Sequence, residues 1–516
     1  MIYFVNFGMP EKKSGIEHAE LKRLALFKKK NIEAKIVTRD WFRDLHRTAN
    51  NSGVSDDQMI NMFDYFQGRV NAESKIVKVD DLDFGLADLQ YNDEEENNRY
   101  IVTRKNGVMV ARVNYEFNDK RVVSVELFDG YNNLYRVDIF DSRGFKTLEQ
   151  WYSPDNKIIN EVWVDEKGRP AIAAYYRKDG QGKLQKSGWK LIALDGSERQ
   201  FDTIEEILHY FLECLNEVKD NQEYKNIFVI DRALLGDWGF VHMPKDAYMV
   251  AYMHNAQTSD AQNPNDILLN NNYEFLLNNL DKYDAVVSAT QKQTKDIKDR
   301  FKPTAKSFTI PVGIVKEDSL TSPRVPMKDR EFGKVIAVAR IAWEKHLDDL
   351  VRAVAIAKKE VPQITLDLYG YADTSDNYKA KRAVEKVIKD NQLENVVTFK
   401  GYTTNIEEIE KNAQVFGLTS RMEGFNLAVM EAISNGMVGV TYDVNYGPNE
   451  IIQNENNGFI VPFDDYQAMG QKLIKLFKDP ELLQQYSDNA YDSAERYSEE
   501  NVWNSWQELI NDAKLK

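Results

Sequence analysis

Cysteine is nearly absent from this chain. Cys214 is the one instance in 516 residues, which excludes an internal disulfide and fits a reducing compartment. Its neighbours Phe211, Leu215 and Val218 put it on an apolar helix side, so a buried structural thiol is expected rather than a reactive one. Histidine is scarce, with six copies, and no Cys/His set has zinc spacing. No stretch approaches the roughly 20 apolar residues that span a bilayer. Met1 to Pro10 has neither a basic leader nor a long apolar run. A soluble cytoplasmic protein is expected, with at most peripheral membrane association. Basic charge is in deficit, 67 Lys and Arg against 82 Asp and Glu, for a net charge of −15. An acidic chain repels phosphate backbones, so nucleic acid is not an expected partner. The dinucleotide pattern G-x-G-x-x-G and the Walker loop are absent.

Hydrophobic residues make up 42% of the chain, enough for large cores. At about 150 residues per domain the length suggests roughly three domains. Residues 1 to about 66 read as strand, helix, strand, helix. Ile2–Phe7 and Ala34–Thr38 are the strands, Gly15 breaks the chain before a helix to Lys30, and Ser55 with Gln58 reads as a capping box for a helix reaching Phe66. From about 75 to 200 the texture changes to short β-branched and aromatic runs: Tyr100–Thr103, Val122–Phe128, Tyr135–Phe140 and Ile158–Val164. Turn pairs separate them, among them Asn106-Gly107, Asp129-Gly130, Arg143-Gly144, Lys167-Gly168, Asp179-Gly180 and Asp195-Gly196, which predicts an antiparallel meander. The acid clusters Asp80-Asp81-Leu82-Asp83 and Glu94–Glu96 sit in polar stretches and read as solvated loops.

The β/α alternation then resumes. Asp202 and Glu205 open a helix with the apolar face Ile204, Ile207, Leu208, Phe211, Leu212, Leu215 and Val218. Strands are expected at Ile227–Ile230, Tyr248–Met253 and Ala285–Ser288, and a linker runs from Gly313 to about Arg330. A second series has strands at Val335–Ala339, Thr365–Tyr369, Val396–Phe399, Val415–Leu418 and Val438–Tyr442. Short apolar strands between helices imply parallel sheets, and ligands of such sheets sit beyond the strands' carboxyl ends. The expected fold class is α/β, two Rossmann-like domains facing a cleft, with an inserted antiparallel β-meander. The expected domains are 1–70 with 200–315, an insert over 71–199 for oligomerisation or acceptor docking, 316–490, and a C-terminal helical segment 491–516 that crosses back to the first domain.

Three places carry chemistry. In Ser14-Gly15-Ile16-Glu17-His18, a glycine between strand and helix admits close ligand approach and turns helix amides outward, an anion site. In Ala339-Arg340-Ile341-Ala342-Trp343-Glu344-Lys345-His346, two cations five residues apart leave one strand end. Arg340 can fork onto phosphate oxygens and Lys345 adds a point charge, which stabilises a departing diphosphate. In Glu423-Gly424-Phe425-Asn426-Leu427-Ala428-Val429-Met430-Glu431, two acids stand eight apart. Glu423 falls in a turn at a helix start, and Glu431 in an apolar stretch where a buried carboxylate needs partners.

Arg340 with Lys345, followed by Glu423 and Glu431, resembles the retaining GT-B glycosyltransferases of family 4, over about 1–66 and 200–516. The β-rich insert resembles a bacterial subgroup with a DUF1975-type domain. That subgroup includes the accessory-secretion protein O-GlcNAc transferases of serine-rich repeat adhesins and the wall teichoic acid α-glycosyltransferases. Asp231-Arg232, Ile310-Pro311-Val312-Gly313, Ala339–His346 and Tyr446-Gly447 look nearer to the adhesin enzymes.

The resemblance implies roles. Gly15, Ile16, Glu17 and His18 contact the donor diphosphate, and Arg340 and Lys345 clamp it. Lys400, Gly401 and Tyr402 pack against uracil. Glu423, Gly424, Phe425 and Asn426 hold the transferred sugar, Glu431 holds the ribose, and His254 approaches the sugar. Relatives often carry a second histidine three positions after His254, where this chain has Gln257. The implied reaction moves a sugar, GlcNAc foremost, from a UDP-sugar to Ser/Thr of a serine-rich acceptor protein, by front-face attack and without cofactor or metal. Rival readings are a teichoic acid α-glycosyltransferase and a catalytically silent adhesin-binding partner. The relatives also imply an oligomer, through a homologous co-activating subunit or through the insert.

Overall fold

The computed structural model describes residues 1–193, 195–218, 224–235, 237–375 and 377–514. The last two residues of the expected C-terminal segment, 515 and 516, lie outside the described residues. The chain divides into two compact units, Met1–Glu17 with Asn31–Met249, and His18–Lys30 with Val250–Lys516.

In the first unit, Ile2–Asn6 is buried along its whole length and pairs in parallel with Asn226–Ile230 on one side and Ala34–Thr38 on the other. The strand beyond Ala34–Thr38 corrects the sequence reading. Ser55 and Gln58 do form a capping box, but on a 3-10 turn over Asp56–Gln58. Met59–Asn61 is then a strand beside Ala34–Thr38, and the helix is only Met62–Phe66. Three apolar-to-polar strand residues bury better in the ladder than on a helix face, so tertiary pairing overrides the local signal. The helix Ile204–Glu217 buries Ile207, Leu208, Phe211, Leu212 and Leu215 as its periodicity demands. Its N-cap is Thr203, whose hydroxyl accepts from Glu206, rather than Asp202. Cys214 is half-buried rather than buried, and desolvation pushes its thiol above the usual range.

The insert is a ten-stranded antiparallel meander from Leu89–Glu94 to Glu198–Phe201, each strand pairing with its sequence neighbours. One turn chemistry recurs. Asp141, Asp165 and Asp179 each open a hairpin loop, and each carboxylate accepts two loop amides. Three residues later Gly144, Gly168 and Gly182 take φ of +91°, +75° and +79°, the left-handed bulge position of a three-residue hairpin loop. In the third loop the left-handed glycine is Gly182, not Gly180. The insert is joined to its unit by buried polar contacts. Arg143, 2% exposed, bonds Asp64 and Asp141 at 2.7 and 2.9 Å, and Gln67 Nε2 donates to the Val164 carbonyl. Phe63 packs on Trp163 with centroids 4.7 Å apart.

In the second unit, Val250–Met253 pairs in parallel with Ala285–Ser288, which pairs with Lys306–Thr309. A six-stranded parallel sheet follows, in the order Val397–Gly401, Thr365–Tyr369, Lys334–Val338, Val415–Leu418, Val438–Tyr442, Gly458–Val461. Lys306–Thr309 and Gly458–Val461 are strands not read from the sequence. The expected linker contains a short helix Glu317–Thr321 and a 3-10 turn Met327–Asp329. The helix Glu499–Asp512 lays Trp503 and Trp506 edge-on against Phe27, and Trp506 against Tyr252 of the strand Ala247–Met253. Lys29 and Lys30 pair with Glu499 and Glu500 at its first turn.

Candidate active site

Two neighbouring strands of the six-stranded sheet, Lys334–Val338 and Val415–Leu418, send their carboxyl-end loops to the same place. Gly370, at φ +138°, lets the first loop leave the sheet: a Cβ there would lie 2.0 Å from the Ala339 carbonyl. The loops are stitched by their backbones. Arg421 N donates to Glu344 O at 2.8 Å, and the Thr419 hydroxyl donates to His346 O at 2.8 Å.

Lys345 Nζ meets Glu423 Oε1 at 2.7 Å, with side chains 18% and 9% exposed. Asn426 Nδ2 donates to the same oxygen at 2.9 Å. Asn426 itself takes φ +77° and caps the helix Leu427–Ser434 by accepting from Val429 N. The Glu423 backbone is fixed on both sides, donating to Asn445 O and accepting from Tyr446 N. A carboxylate is thus held over a helix start, beside a half-buried cation.

Glycines let the neighbours close in. A Cβ on Gly424 would stand 2.1 Å from the His254 carbonyl, so the His254 backbone lies directly on this loop. Gly447, at φ +102°, abuts the Phe425 carbonyl, and Gly313 abuts Met430 and the Phe425 ring. The His254 ring lies tilted against Tyr252, with centroids 4.5 Å apart. Gln257, three positions after His254, is fully buried. Its Nε2 donates to the Tyr446 hydroxyl at 2.7 Å, and that hydroxyl donates to Asp296 at 2.7 Å. Desolvation, then Asp296, pushes the Tyr446 phenol above its usual range, so it remains a donor. The neutral amide completes a chain that needs a fixed donor.

The other sequence candidates are placed as follows. Arg340 is 44% exposed and is held by Glu344 and, at 3.0 Å, by Asp373. Lys400 lies 3.6 Å from Asp367, and Tyr402 is 54% exposed. Glu431 departs from expectation: its side chain is 33% exposed, and Lys22 grips it at 2.5 Å. It lies in the second turn of an eight-residue helix, on a side that Met430 and Ala432 do not share. The buried acid nearby is Glu410, fully enclosed, whose Oε2 accepts from Asn435 at 2.8 Å. Burial and the Glu431 charge raise its carboxyl well above the usual range. No local signal marks Lys22 or Glu410, because their partners are distant in sequence.

Gly15, Ile16 and Glu17 belong to the first unit and His18 to the second. Glu17 is 3% exposed and accepts from Ser14 N, Ser14 Oγ and Arg232 Nη2 at 2.8, 2.6 and 2.5 Å. Burial alone would raise this carboxyl, but the Ser14 and Arg232 contacts outweigh it and hold it low. Glu17 therefore braces the turn, and the Ile16 amide donates to Ser14 Oγ. His18 is exposed.

Comparison with known proteins gives a consistent result. Residues 320–493 match the family model "Glycosyl transferases group 1". Over 99% of both chains the protein is 26% identical to the UDP-N-acetylglucosamine–peptide N-acetylglucosaminyltransferase GtfA subunit of Streptococcus agalactiae. It is 27% identical to the poly(glycerol-phosphate) alpha-glucosyltransferase of Bacillus subtilis (strain 168), over 99% of this chain and 74% of that one. Its structure matches the pneumococcal O-GlcNAc transferase GtfA, solved with UDP and GlcNAc, with a TM-score of 0.80 and 24% identity over 99% and 98% of the two chains.

Proposed function

This chain has the GT-B glycosyltransferase fold with an inserted antiparallel sheet, and from that premise we propose that it moves a sugar, foremost GlcNAc, from a UDP-sugar to Ser/Thr of a serine-rich acceptor protein, with retention. The observation that carries the reading is the contact of Lys345 with Glu423 at the carboxyl ends of two adjacent parallel strands. A cation and a carboxylate fixed 2.7 Å apart suit a substrate with an anionic leaving group joined to a hydroxylated ring.

In this reading Arg340 and Lys345 take the charge that builds on the departing diphosphate. Arg340 must exchange Glu344 and Asp373 for phosphate oxygens, a swap that its exposed position permits. Gly15 and Ile16 add backbone amides, and His18 adds an exposed imidazole. Glu423 and the amides of Gly424 to Asn426 hold the sugar hydroxyls, Glu431 holds the ribose beside Lys22, and Lys400 to Tyr402 lie against uracil. His254 faces the sugar. The acceptor hydroxyl attacks the anomeric carbon on the face the diphosphate leaves, and the departing phosphate takes its proton. No metal is assigned to this step.

A second acceptor class is favoured by one of the similar sequences, which acts on poly(glycerol-phosphate). The name of the streptococcal relative marks it as a subunit, which supports a homologous co-activating partner or self-association here. No helix among the described residues is long and apolar enough to cross a membrane. UDP release with a serine-rich peptide, against purified teichoic acid, tests the proposal. Release with the peptide is expected; release only with the polymer selects the second acceptor. No release with either, alone or with a partner subunit, selects the silent-partner reading.

A further inference from the structure

His346 directly follows Lys345 and caps the helix Leu347–Lys358 from the left-handed region, at φ +47°. Its side chain is 9% exposed, and its Nδ1 is buried without a hydrogen-bond partner. That nitrogen faces two carboxylates, Asp349 Oδ2 at 3.4 Å and Asp464 Oδ1 at 3.6 Å. A protonated Nδ1 would draw one of them to about 2.7–3.2 Å. A bare lone pair would point at two anions. Burial, the largest influence on this imidazole, holds it below its ordinary pKa even with the acids beside it.

The spacing has another explanation. Ligand atoms around a tetrahedral ion with bonds of about 2.0–2.2 Å stand about 3.3–3.6 Å apart. The three ligand atoms here all lie within 4.8 Å of one another. The acids are also held by outer partners, as metal ligands are. Tyr442 donates to Asp349 Oδ2 at 2.8 Å, and Arg352 bonds Asp349 Oδ1 at 2.5 Å and Asp348 at 2.6 Å. Asp348 lies 3.8 Å from His346 Nε2, and Arg421 and Arg352 are the cations that face the group.

We propose that His346 Nδ1, Asp349 Oδ2 and Asp464 Oδ1 form a binding site for a divalent transition cation of the zinc class, with water as the fourth ligand. An imidazole with two carboxylates suits such ions rather than magnesium or calcium, which take oxygen alone. The site ties three segments: the loop after Lys334–Val338, the first turn of Leu347–Lys358, and the loop after Gly458–Val461. It holds the backbone one residue from Lys345, so its role is structural support of the site and not sugar transfer.

Cobalt(II), titrated into the untagged, chelator-treated full chain, is the probe. One equivalent should bind, give the visible absorption of a tetrahedral ion, and be displaced by zinc. Asp464→Asn, at a 60% exposed side chain, should abolish the band while keeping the metal-free melting midpoint. His346→Gln should abolish it too. No band in the wild-type chain, or an equal band in Asp464→Asn, overturns the proposal.

Discussion

Lys345 and Glu423 are worth most as a pair. Glu423 is 8% exposed, and a carboxylate stripped of its cation in such a place costs free energy that its partner now offsets. Lys345→Ala is therefore expected to act twice, losing leaving-group stabilisation and leaving Glu423 unbalanced. A fall in kcat of about a hundredfold to a thousandfold is expected, of the order seen when one preorganised charge donor is removed. Glu423→Gln keeps the shape and should abolish transfer with the melting midpoint nearly unchanged. Turnover of UDP-sugar near the wild-type rate in either variant contradicts the assignment. Glu410 calls for a different test. Its carboxyl titrates higher folded than unfolded, so the folded state keeps a proton that the unfolded state has lost. Its contribution is complete below the unfolded pKa and falls away as pH rises towards the folded value. Glu410→Gln removes that loss. The variant should gain melting temperature relative to wild type at pH 7 but not at pH 4, and a constant difference across that range would show Glu410 to be ionised.

Whole elements were legible where a short-range pattern decides them. The second β/α series announces itself as apolar strands of four or five residues between helices, and the insert as repeated turn chemistry. Edges were hidden where distant partners decide. Met59–Asn61 reads as helix until Ala34–Thr38 claims it, and Glu431 reads as buried until the helix turns it away from Met430 and towards Lys22. The residue spacing of the candidate site was visible, but the Lys345–Glu423 contact, spanning 78 residues, was not. Element junctions yield their own predictions. Arg143 ties the insert to the helix Met62–Phe66 through Asp64, which also bonds His46 Nε2 at 2.6 Å. Arg143→Met leaves two buried aspartates short of a cation, so chemical denaturation should report a loss of about 3–5 kcal/mol. At the loop before Leu427–Ser434 the limiting factor is space. Gly424→Ala must push the His254 backbone away, and a raised KM for the UDP-sugar in a chain that still folds is the expected result.

At the scale of the molecule, charge bears on the acceptor. A net charge of −15 repels a polyphosphate, and that repulsion is screened over a Debye length of about 10 Å at 0.1 M salt. Three acceptor regimes follow. A serine-rich peptide of low charge feels little of this field, so its KM should stay nearly flat between low and physiological salt. A teichoic acid docked without a dedicated basic groove should bind better as salt rises. A teichoic acid docked in such a groove should bind worse, because counterions released on binding make salt a competitor. The insert supplies a basis for deciding, since its exposed residues include Tyr131, Phe117 and Ile159 alongside paired charges such as Lys105 with Asp88. Aromatic and aliphatic side chains among neutralised charges suit a peptide more than a polyanion. The steady-state KM for a serine-rich peptide, measured from 50 to 200 mM salt, is therefore expected to change less than about twofold. A KM for peptide that climbs steeply over that range, matched by tight salt-sensitive binding of teichoic acid, would move the acceptor assignment to the polymer while leaving the donor chemistry in place.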